Sequence, residues 1–107
     1  MAGTRAPEAS VVNGERAGSE ALAIVERLRN ARPRLRFELN LGGGNFKAQF
    51  RRADRSGARV ALIIGDDELA RGMLAVKPLR EQSGQSECPI DSLAAGLDTV
   101  LAGLGSG

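Results

Sequence analysis

Residues 41–77 read LGGGNFKAQFRRADRSGARVALIIGDDELARGMLAVK, and the fold turns on how this stretch divides. At its centre Val60–Ile64 is VALII, five apolar residues without a polar interruption. A strand with one wet face alternates, so this unbroken run predicts a central strand covered on both faces. Upstream, Gly42, Gly43 and Gly44 make a turn, and Asn45 is suited to cap a helix beginning at Phe46. Phe46, Phe50 and Ala53 share one side of that helix. Lys47, Arg51 and Arg55 recur every four residues on another, with Arg52 beside them. Downstream, Gly65 ends the strand, Asp66, Asp67 and Glu68 open a short helical turn reaching Gly72, and residues 73–76 form a further strand running into Lys77 and Pro78.

Working outward, Ala9–Asn13 is a short run with paired valines, a first strand closed by Gly14. Residues 19–30 carry Leu22, Ile24, Val25 and Leu28 at helical spacing, with Ser19 as a candidate cap and Pro33 as the stop. Leu35, Phe37 and Leu39 then alternate with Arg34, Arg36 and Glu38, which predicts a half-exposed strand with a cationic outer side. Residues 80–88 are polar and turn-rich, a hairpin or loop between strands. Asp91 or Ser92 caps a last helix whose apolar face is Leu93, Leu97, Val100, Leu101 and Leu104. The order β-α-β-α-β-turn-β-(β)-α predicts an open, mixed and mostly parallel α/β sheet flanked by helices.

At 107 residues the chain suits one domain, placed at residues 8–104. Residues 1–7 read as a tag or linker and residues 105–107 as a disordered tail. The N-terminus lacks the apolar stretch of a signal peptide, and no segment reaches the length of a membrane span. With three aromatics, Phe37, Phe46 and Phe50, the core must be mostly Leu, Ile, Val and Ala. Cys88 is the single cysteine, which excludes an internal disulfide and fits a reducing, cytoplasmic setting. With no histidine to activate it, Cys88 reads as an inert, half-buried thiol.

Charge is distributed unevenly. Residues 27–59 hold ten cations against Glu38 and Asp54, while the remainder holds five cations against eleven acids. Such a block is either a solvated face or the electrostatic footprint of a nucleic-acid binder. Catalytic readings fare poorly. The run GGGNFK lacks the Gly-Lys-Ser/Thr ending of a phosphate-binding loop and the third glycine of a dinucleotide fingerprint. Asp66, Asp67 and Glu68 are adjacent at a turn and so diverge, which suits balancing a helix dipole better than holding a metal. With neither His nor Tyr, the general acid–base set is thin. No catalytic, cofactor-binding or metal-binding residue is assigned.

The triple glycine before a basic helix, the run ADRSGA at residues 53–58, the strand ending in Ile63-Ile64-Gly65-Asp66-Asp67-Glu68 and the strand reaching Lys77 closely resemble the C-terminal anticodon-binding domain of class IIa aminoacyl-tRNA synthetases. Within that group the chain looks most like the histidyl-tRNA synthetases, over nearly its whole length. The resemblance implies a five-stranded mixed sheet with three helices that docks on the tRNA anticodon stem-loop. It places Gly65, Glu68 and Lys77 at the anticodon bases. A carboxylate can accept from base amino groups and a cation can reach O6, N7 or phosphate. Glu68 retains a second reading as a helix-turn cap. Lys47, Arg51 and Arg52 would hold the RNA backbone, and Phe46 and Phe50 are assigned to the core. By the same resemblance the reaction, with its ATP and Mg2+, belongs to a separate catalytic domain of a homodimeric parent ligase. The other reading is a non-catalytic relative that uses the fold as a regulatory or general RNA- or protein-binding module.

Overall fold

In a computed structural model of the chain, described here for residues 6–14, 18–40, 45–80 and 84–104, Val60–Ile64 lies third of five strands. In chain order the elements are β1 (Ala9–Asn13), α1 (Gly18–Ala31), β2 (Phe37–Leu39), α2 (Phe46–Arg55), β3 (Val60–Ile64), α3 (Asp66–Ala70), β4 (Met73–Pro78), β5 (Ser86–Pro89) and α4 (Leu93–Gly103), the last entered through a 3-10 turn at Ile90–Ser92. The strand order is β2-β1-β3-β4-β5. The glycine turn expected at residues 42–44, the body of the N-terminal linker and the C-terminal tail lie outside the described residues.

The pairings divide evenly. β2 and β3 run parallel to β1, whereas β4 is antiparallel to both β3 and β5. Connection length sets this division: a parallel neighbour needs a crossover of a dozen or more residues, and β3 and β4 are joined only by the short α3 turn.

Both faces of β3 are covered, as its uninterrupted apolar run demands. On one face Val60, Leu62 and Ile64 join Val11, Leu74 and Val76 beneath Ile24, Val25 and Leu28 of α1 and Leu93 and Leu97 of α4. On the other, Ala61 and Val12 meet Ala53, with Phe50 and Ile63 packed alongside. The first face carries two helices, with α4 lying on β4 and β5. The second carries α2, which lies on β1.

Several local boundaries differ from expectation, among them residues 86–88, expected within a hairpin or loop and found in β5. The helix expected at residues 19–30 begins at Gly18, so Ser19 lies inside it and does not cap it. The strand expected from Leu35 begins at Phe37, because the peptide after Pro33 closes a turn in which the Leu35 amide donates to the Arg32 carbonyl at 3.1 Å. Ser92 occupies the cap position of α4 without a side-chain capping bond, since the preceding 3-10 turn leads directly into the helix. Asn45 does cap α2, accepting from the Ala48 amide at 2.8 Å. At the other end Gly57 takes φ +80°, and the Ser56 hydroxyl donates to the Ala53 carbonyl at 2.6 Å, which accounts for the Ser-Gly pair in the ADRSGA run.

Candidate nucleic-acid interface

α2 sits on the sheet through a polar layer. Gln49, 2% exposed, donates to the Asn13 carbonyl at 2.9 Å and accepts the Asn13 amide at 3.0 Å. It thereby satisfies both backbone groups at the carboxyl end of β1, where an unpaired group would be expensive. Buried Asn40 donates to the Ser10 hydroxyl at 3.1 Å, and the Arg52 guanidinium reaches the Asn40 side-chain oxygen at 3.5 Å. The periodicity of residues 46–53 could have revealed Gln49, which lies in the same stripe as Phe46, Phe50 and Ala53.

This seating turns Lys47, Arg51 and Arg55 outward; all three are exposed. Arg52, grouped with them in the sequence, is half-buried against Asn40. Several cations of the basic block serve the fold instead. Arg32 grips Asp98 of α4 with Nε at 2.8 Å and Nη2 at 2.6 Å, Arg29 donates to the Phe37 carbonyl, and Arg59 donates to the Leu101 carbonyl. The Arg32 guanidinium holds the Asp98 carboxyl below the usual carboxylate range through this hydrogen bond. The cationic surface is therefore narrower than the charge count implies.

Beside α2 this face of β4 and β5 presents exposed Lys77 and Glu87 on either side of buried Ala75. Ile63 pairs with Ala75 across β3–β4, Ala75 with Glu87 across β4–β5, and Ala61 with Lys77. The Lys77 ammonium lies 5.4 Å from the Phe50 ring centroid, within cation–π range. Glu68, on the half-turn after β3, folds one carboxylate oxygen over Gly65, so close that a Cβ there would collide with it. Its other oxygen faces Arg71 Nη2 at 3.8 Å, and Arg71 also bridges to Glu87 at 3.2 Å. Glu68 stands in the first turn of α3, behind the N-cap residue Gly65, a position that also suits the helix dipole. Phe46, assigned to the core from sequence, is 40% exposed, while Phe50 packs into the small core. Phe46, Phe50, Ile63, Glu68, Ala75 and Gln85 together line a cavity of about 330 Å3.

Cys88 is buried, and burial pushes its thiol pKa up. Among the described residues no three His, Cys, Asp or Glu side chains converge as metal ligands, and no helix is long and apolar enough to cross a membrane.

Residues 9–99 match the family described as Anticodon binding domain. The chain belongs to that family. It is 52% identical over 99 residues to a histidine–tRNA ligase of Halorhodospira halophila, covering 92% of this domain but 22% of the relative. The domain therefore spans about a fifth of that protein's length. Its fold superposes on a histidyl-tRNA synthetase from Nostoc sp. PCC 7120 with a TM-score of 0.77 at 29% identity, over 91% of this chain and 23% of the other. The RNA binding domain of threonyl-tRNA synthetase from Cryptosporidium parvum shares the fold at 15% identity, with a TM-score of 0.74 over 87% of this chain and 23% of the other. The expected anticodon-binding domain, and its likeness to histidyl-tRNA synthetases, are both met.

Proposed function

We propose that this domain recognises the anticodon stem-loop of a histidine tRNA on behalf of a histidine–tRNA ligase. The observation that carries the reading is the juxtaposition on one open side of the sheet. Glu68 lines the cavity with Phe50, Lys77 stands over Phe50, and the outward Lys47 and Arg51 lie on the helix that carries that ring. Anticodon bases are splayed from their loop and are read by edge contacts, while cations on a neighbouring helix hold the phosphates. In this reading Glu68 and Lys77 contact bases, Gly65 leaves room for the carboxylate, and Lys47, Arg51 and the outer edge of Arg52 contact the backbone. The amino-acid identity rests on the 52% identity to a histidine–tRNA ligase. Histidine attachment, with its ATP and Mg2+, is assigned to a catalytic domain of a cytoplasmic, homodimeric ligase, and no residue here is given a role in it.

The test is titration of the chain with RNA hairpins carrying the histidine anticodon or a scrambled loop, at two salt concentrations. A clear preference for the histidine anticodon is expected, with binding that weakens as salt rises. Equal binding of both loops would reduce the domain to a general RNA-binding module.

A further inference from the structure

We propose that Phe46 is a stacking platform for a single unstacked nucleobase, seated in the groove between α2 and the β3–β4 pair. The assignment rests on the anticodon reading above and adds a residue and a contact to it. Phe46 belongs to the sheet-facing stripe of α2, yet its ring extends past the small core and stays 40% exposed. Among the described residues only Leu22 is a large hydrophobic of comparable exposure. The ring has a fixed neighbour: its centroid lies 6.5 Å from that of Phe50, tilted by 39°, and Phe50 packs against the small core with the Lys77 ammonium over its face.

The cavity beside it has the chemistry of a base. Its walls and floor are apolar, made by the two rings and the Ile63–Ala75 cross-strand pair. Its polar groups are Glu68 and Gln85, an acceptor and an amide that can both donate and accept. A nucleobase is likewise apolar on its faces and polar on its edges, and aromatic side chains in single-strand binding sites stack on such faces. Arg71, which lies outside the groove's lining, is the ion-pair partner of Glu68, and an apolar peptide would add no polar partner inside it. A nucleotide instead satisfies that carboxylate with an amino or imino edge and presents its phosphate to the cations of α2.

The chain contains neither Trp nor Tyr, so Phe46→Trp supplies a sole indole reporter in the 107-residue chain. Its emission should be quenched by the histidine-anticodon hairpin, and quenching should vanish when one particular anticodon position is made abasic. Phe46→Leu, which keeps apolar bulk without a ring, should weaken binding roughly ten- to a hundredfold with an unchanged unfolding midpoint. Unchanged affinity in Phe46→Leu, or quenching indifferent to every abasic position, would overturn the stacking assignment even if the anticodon preference holds. Quenching by any single strand without anticodon preference would keep the platform and remove the anticodon reading.

Discussion

One carboxylate oxygen of Glu68 occupies the space that a side chain on Gly65 would need. Gly65 has φ −78°, which any residue adopts, so its lack of a side chain serves the carboxylate and not the backbone. Gly65→Ala should therefore fold normally while displacing Glu68. In hairpin titrations Glu68→Gln is expected to remove about 1–3 kcal/mol of discrimination between anticodons. Gly65→Ala should remove part of the same quantity, and the double variant little more than Glu68→Gln alone, a non-additivity that marks a shared contact. Additive losses would separate the two residues.

Lys47 and Arg51 are outward-facing cations on α2 without a role in its packing. Lys47→Gln or Arg51→Gln should weaken all hairpins alike and lower the slope of log affinity against log salt by about 0.7–0.9 each. A change confined to one anticodon would contradict the backbone assignment.

Gln49 satisfies both backbone groups of Asn13 from a fully buried position. Gln49→Leu keeps the bulk but strands an amide and a carbonyl, so urea unfolding should register a loss of about 2–4 kcal/mol. Because α2 also carries the cations and both rings of the groove, RNA affinity should fall with it.

A Cβ on Gly96 of α4 would stand 2.5 Å from the Cys88 sulfur, marking how closely β5 and α4 approach. Gly96→Ala should destabilise by about 1–3 kcal/mol through overpacking, and Cys88→Ala in the same chain should recover part of that loss. With its thiol buried and its pKa pushed up, Cys88 should alkylate slowly in the folded chain and rapidly in denaturant.

The Asp98 carboxyl is depressed by Arg32, so its contribution to stability is present above the ordinary carboxylate pKa and is lost as pH falls through the lower folded value. Thermal melts should show the gap between wild type and Asp98→Asn closing at the acid end. The pair is exposed, so the gap should be small and shrink with salt.

Most of the scaffold was legible in sequence because its cues are periodic. VALII, the helical spacing over residues 22–28 and the Leu93–Leu104 face predicted strands and helices in the places they occupy, although Leu22, counted in the apolar stripe, is exposed and Ala21 takes its place in the buried face of α1. The even split of pairing directions was harder to read, since direction depends on the geometry of the short link between β3 and β4. The site was half legible. Hydrophobicity alone sent Phe46 to the core, where only the end of the helix relative to the sheet decides that its ring emerges. Charge alone grouped Arg29, Arg32 and Arg59 with Lys47 and Arg51, although the first three bond to carbonyls and a carboxylate of the fold.

The strand order places β2, of three residues, and β5, of four, at the two margins of the sheet. These rows are short, the Phe37 carbonyl of β2 is already taken by Arg29, Pro89 withholds one donor, and Glu38 and Glu87 set charge beside them. Another extended chain finds little to add onto at either margin. The groove between α2 and β4 can thus be offered to RNA without the margins becoming templates for aggregation.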